Sequence, residues 1–133
     1  MDRGRRIVTL TLVSMVLYAL ACVLPALDGG GGRDPIPGWV CIADGAHFTP
    51  LYWSANPLLW VSWMLLFTKL PIAKIFTMGA LVGSLACFAE FFKPGDPGLL
   101  IGSWFWLASI LVAEFAAVFT LFQWRAHRLA PTR

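Results

Sequence analysis

The chain alternates long apolar stretches with short polar breaks, and the lengths of those stretches set its class. Four of them cover residues 7–27, 57–70, 72–92 and 99–124. An α-helix needs about 20 mainly apolar residues to cross a bilayer, and three of the four reach that length. The stretch 57–70 is shorter, roughly 21 Å at 1.5 Å per residue, and crosses only with help from its neighbours or flanks. The pattern predicts an all-α polytopic membrane protein, a single membrane domain over residues 1–133. It has four transmembrane helices running up-down-up-down and one long outer loop, 28–54.

Composition points the same way. Of the 133 residues, 59% are hydrophobic and 13% charged, with a mean hydropathy of +0.74. A soluble domain carries about 25% charged residues, so these charges are too few to cover a surface in water. The net charge of +3 does not indicate a nucleic-acid partner, because of where the charges lie. Eight of the ten basic residues, Arg3, Arg5, Arg6, Lys69, Lys74, Arg125, Arg128 and Arg133, fall on one side if all four helices cross. Short cytoplasmic loops carry the Lys/Arg excess, so both termini are expected in the cytoplasm. The first partner implied is the lipid bilayer itself.

The N-terminus has a second reading. Ala19-Leu20-Ala21-Cys22 after an apolar run looks like a lipoprotein cleavage box with Cys22 as the lipidated residue. Ala19 stands where such boxes usually carry Leu, and the chain stays apolar through Leu27. The segment is therefore kept as a membrane helix ending near Pro25. Gly29 to Gly32 then release the chain into the outer loop. The second half of that loop is apolar: Trp39, Ile42, Phe48, Tyr52 and Trp53 would be costly to leave in water. Asp44-Gly45 between two short apolar arms predicts a tight hairpin, with a short helix as the competing form.

The stretch YWSANPLLWVSW opens the second helix. Asn is a strong N-cap, and Pro next to it loses no intrahelical bond, so Asn56-Pro57 reads as a capped helix start. Loss of that cap is expected to cost about 1 kcal/mol. Asp96-Pro97 repeats the device before the fourth helix. The phrase Trp53-Ser54-Ala55-Asn56-Pro57-Leu58-Leu59 also resembles one found in small bacterial inner-membrane proteins of four helices, which are uncharacterised. There, a tryptophan and Ala-Asn-Pro introduce a helix after an outward-facing loop. The resemblance spans residues 52–63 and implies a bacterial inner-membrane setting, but no activity.

Few residues suggest chemistry. Glu114 lies about two-thirds of the way across the last helix, where an ionisable group costs about 2.5–3.5 kcal/mol and faces the bundle interior. It reads either as the carboxylate of a proton-coupled transporter or as a tie between helices, paired with Lys69 or Lys74. Glu90 has Lys93 three residues on, a spacing for a local pair. Gly79 and Gly83 form a small-residue stripe for close helix packing. Gly102, Ser109, Ala113, Ala116 and Thr120 give the last helix a looser face of the same kind. Cys22, Cys41 and Cys87 include no C-x-x-C, though Cys22 and Cys41 sit close enough to the outer boundary to pair there. No metal site is expected from His47 or His127. No Gly-x-Ser-x-Gly, P-loop or dinucleotide fingerprint appears, so neither an enzyme nor a cofactor is expected.

The expected function is binding: an accessory subunit, assembly factor or immunity-type membrane protein whose partner is another membrane protein or a second copy. Trp39, Phe48, Tyr52 and Trp53 are its candidate outer-loop recognition residues. The alternative is a small oligomeric proton-coupled transporter using Glu114, similar in size and helix count to the small multidrug-resistance exporters. Those carry an essential Glu in the first helix, where this chain has none.

Overall fold

The computed structural model describes residues 3–29, 33–48, 53–91 and 98–129. Those residues are mostly helical: α1 (Arg3–Val23), α2 (Gly38–Phe48), α3 (Ala55–Phe67), α4 (Ala73–Phe91) and α5 (Ile101–Leu129). Two short strands, β1 (Pro25–Leu27) and β2 (Ile36–Pro37), pair antiparallel between α1 and α2. Among the described residues α1, α4 and α5 are long and apolar enough to cross a membrane. The fourth apolar helix, α3, has 13 residues, roughly 20 Å.

Backbone chemistry explains where the boundaries differ from expectation. The first helix was expected over 7–27 but ends at Val23. Proline cannot continue a helix and pushes its predecessor into extended geometry, and Pro25 instead opens β1. The extended residues are then used. Asp28 N–H donates to the Gly98 carbonyl (2.9 Å), and Leu100 N–H donates to Ala26 (2.9 Å). These bonds stitch the end of α1 to the start of α5. The last helix starts at Ile101 rather than Leu99 and runs on to Leu129, with His127 and Arg128 favoured in its final turn. Asp96-Pro97 lies outside the described residues.

The hairpin expected around Asp44-Gly45 is a correction. Residues 38–48 form α2, the competing form. Two isolated strands would leave backbone groups open near an apolar environment, whereas a helix satisfies its own. A mid-helix glycine costs only about 1 kcal/mol, and packing of α2 on the bundle outweighs it.

Side chains set α1 against α5, and α3 against α4, in antiparallel fashion. Ser14 of α1 donates to the Ser109 carbonyl of α5 (2.7 Å), while Gly102 of α5 sits against the Leu24 and Pro25 carbonyls just past α1. Gly79 and Gly83 of α4 face Leu58 and Ala55 of α3 at van der Waals range. The glycine stripe is thus used within the chain. Gly102, Ser109, Ala113, Ala116 and Thr120 are all buried.

The radial arrangement is that of a protein in an apolar solvent. Val23, Met64, Ile75, Phe115 and Phe122 are all more than 60% exposed, while Thr11, Ser14, Ser62, Thr77, Ser84 and Ser109 are fully buried. The buried hydroxyls bond to backbone carbonyls, as Thr11 does to Ile7 (2.8 Å) and Ser84 to Leu81 (2.8 Å). In lipid no water satisfies a polar group, so each must find an internal partner.

Candidate functional site

Two polar clusters lie inside the bundle, one toward each end. At the end holding the α3–α4 turn, the Lys74 ammonium forms an ion pair with Glu114. The Thr77 hydroxyl donates to the same carboxylate and, more weakly, to the Lys74 carbonyl (3.2 Å). Of the two lysines that the sequence offered as partners, the fold selects Lys74. Lys69 closes the α3–α4 turn with φ 56, and its ammonium lies beside Gly4 at the start of α1.

At the other end, Asn56 joins three helices. Its carbonyl oxygen accepts from the Tyr18 hydroxyl of α1 (3.1 Å) and from the Trp106 indole N–H of α5 (3.0 Å). Below it, the Trp63 indole donates to the Ser14 hydroxyl (2.9 Å), and Tyr18 meets Trp63 edge-on with centroids 5.3 Å apart. Asn56 is therefore not the N-cap that the sequence suggested. Ser54 occupies that position and makes no side-chain cap bond. Leu58 N–H reaches the Ser54 carbonyl (3.2 Å) to close the first turn. The helix does begin at this phrase, but its asparagine turns inward, because two buried donors there need an acceptor.

The brevity of α3 opens a space above Asn56. Ala55 packs at the level of Gly83, eight residues before the end of α4, and Asn56 sits at the level of Tyr18, five residues before the end of α1. Thus α3 starts roughly 8–12 Å short of its neighbours' ends. Helix α2 lies over the gap as a roof. It is fixed at its start by Gly38, whose N–H donates to the Leu24 carbonyl (3.0 Å). A Cβ at Gly38 would come within 1.9 Å of the Ala21 carbonyl oxygen. Farther along, the Trp53 indole donates to the Ile42 carbonyl (2.6 Å). Beneath the roof is a cavity of about 360 Å³, lined mainly by apolar groups such as Leu27, Ile36, Ile42 and Phe88, with Asn56 in its wall.

Comparison with known proteins finds no matching family model, no matching curated protein and no matching solved structure.

Trp39 points away from the bundle and is 60% exposed. Trp53 is partly buried and stacks edge-on against Trp60 with centroids 6.5 Å apart. Phe48 ends α2, but its side chain, like the whole of Tyr52, lies outside what is described. So does Lys93, the expected partner of Glu90. Cys22, Cys41 and Cys87 are all free thiols. Cys41 and Cys87 line the cavity, and the Cys22–Cys41 pairing allowed by sequence is not formed. Burial in the roof pushes the Cys41 thiol above its ordinary value, and nearby Asp44 adds to the effect. Among the described residues no three His, Cys, Asp or Glu side chains converge as a metal would require. Sequence reasoning missed the inward role of Asn56 and missed Tyr18 and Trp106 entirely. The clue available was a buried-type donor, indole or phenol, on each of two flanking helices.

Proposed function

We propose that this protein is a four-span integral protein of a bacterial inner membrane that acts by binding rather than by catalysis. Both termini lie in the cytoplasm and the α2 end faces outward. Several observations support the threading. Gly4, the α3–α4 turn with Lys69, and the Lys74 start of α4 gather at one end, which is where a cytoplasmic excess of positive charge belongs. At the far end of α5, Arg128 lies over the Trp124 ring, 4.3 Å from its centroid, an arrangement suited to a membrane interface. The short α3 crosses in company, packed against α4 along its glycine stripe.

The observation that carries the binding reading is the presentation of Trp39. A helix pinned at Gly38 and again at Ile42, on either side of Trp39, holds this indole 60% exposed. Rigidly held aromatic side chains concentrate binding energy at interfaces, and the partner is another membrane protein or a second copy of this chain. No observation favours the transporter. Glu114 is held by Lys74 and Thr77 as a tie between α4 and α5.

A photoreactive phenylalanine analogue at position 39, irradiated in intact membranes, tests this reading. A discrete protein adduct is expected from position 39 and none from Val82, which is 61% exposed on α4. Lipid adducts alone from both positions would remove the recognition face.

A further inference from the structure

The wall of the cavity under α2 determines what fits inside it. The indole N–H of Trp106 can only donate, so the atom of Asn56 that faces it is the carbonyl oxygen. The Tyr18 hydroxyl shares that oxygen, and both of its lone pairs are committed to the core. This fixes the orientation of the amide by chemistry. The amide nitrogen is left with two N–H donors that meet no acceptor among the described residues. Every side-chain nitrogen or oxygen sealed inside the described residues has a partner, so this nitrogen is not sealed. Asn56 is only 4% exposed and lines the cavity, and the cavity is the space onto which the nitrogen opens.

The other polar atoms of the lining are already engaged or weak. Ser103 donates to the Ala26 carbonyl (2.7 Å) and Trp53 to Ile42. Cys41 and Cys87 offer only thiols. Among the described residues no Lys or Arg lines the space, and the single carboxylate there, Asp44, is exposed at its edge. An anion would find no counter-charge among these residues. A plain hydrocarbon would leave the amide donors unused, which is costly in a dry site.

We propose that this cavity binds an apolar molecule bearing a carbonyl oxygen, which accepts from the Asn56 amide while its hydrocarbon fills the space under α2. The volume of about 360 Å³ corresponds to roughly a dozen water-sized units, the size of a medium-chain ketone or of one ester-linked portion of a lipid chain. The proposal goes beyond the recognition face at Trp39 and stands if that face is removed.

The test uses the purified full chain with 2-undecanone and undecane as probes, which differ by one carbonyl. In a detergent without carbonyls, a bound fraction of the ketone should show its stretch shifted to lower wavenumber. The ketone should bind roughly three- to tenfold tighter than the alkane, read from thermal stabilisation. Cys87→Phe, which fills the cavity and leaves Asn56 in place, should abolish the shifted stretch and the stabilisation by both probes. Asn56→Leu should erase the preference for the ketone; should that variant fail to fold, the native chain and Cys87→Phe decide. Equal binding of the two probes, no binding, or a shifted stretch that survives Cys87→Phe would each overturn the proposal. Nanodiscs of diacyl and of dialkyl-ether phospholipid then separate the sources. Weaker ketone binding in the diacyl bilayer identifies the lipid ester as the natural occupant, and equal binding in both identifies a free small molecule; either result upholds the chemistry.

Discussion

The two ends of this bundle solve the same problem with opposite outcomes. At the basic end a charged group sits among helices, and the fold closes around it: Lys74 and Thr77 both turn toward Glu114. At the α2 end a neutral amide sits among helices, and the fold closes around only half of it. The Asn56 oxygen is fully used, whereas its nitrogen meets no acceptor among the described residues, and Asn56 lines a cavity. A charge in lipid must be neutralised locally, so the first cluster is a tie. An amide has two separable functions, so the second can anchor three helices and still present donors.

The comparison breaks first at Asn56. Replacing it with Leu leaves the Tyr18 hydroxyl and the Trp106 N–H without their acceptor, and each such orphan costs about 1–3 kcal/mol. A loss of about 2–5 kcal/mol in reversible unfolding is expected, well above the 1 kcal/mol of a lost cap. A loss no larger than that of a cap would return Asn56 to the helix start.

The next largest effect is at the basic end. Glu114→Leu strands Lys74 and should cost about 2–4 kcal/mol, somewhat less than a fully buried pair because both side chains keep some exposure. The double variant Lys74→Met with Glu114→Leu should recover most of that loss in a double-mutant cycle. Failure to recover would show that the pair does not act as a unit.

A smaller and more local effect is expected at Gly38, where the added methyl of Gly38→Ala meets the Ala21 carbonyl oxygen. The roof must lift, at a cost of about 1–3 kcal/mol. Hydrogen exchange should rise across 38–44 and stay unchanged around Glu114. Uniform loosening of both ends would contradict their independence.

Much of the scaffold was legible in the sequence, for physical reasons. Length and apolarity are enough to find α1, α4 and α5, and small residues at helical spacing mark the faces of α4 and α5 that are buried. The pairing of Glu114 was legible as well, because a carboxylate at that depth needs a cation and only two lysines lay within reach. The α2 end was not. Asn56-Pro57 carries the local signature of a cap, and only the tertiary arrangement brings Tyr18 and Trp106 to the same amide. Asp44-Gly45 favours a turn locally, but burial of one helical face overrode it. The cavity has no signature at all in the chain, since it arises from α3 starting short of its neighbours beneath a roof supplied by a segment that reads as a loop.

The most direct test of this account asks whether α2 stands over the open end of the bundle with its inner face toward α4. Cys41 and Cys87 line the same cavity from those two helices, while Cys22 lies outside it. A short bifunctional thiol reagent that becomes fluorescent only when both arms react, applied to the native chain, should bridge Cys41 to Cys87, with the joined peptides identified by mass spectrometry. The absence of a Cys41–Cys87 bridge under conditions where each thiol reacts singly would contradict it.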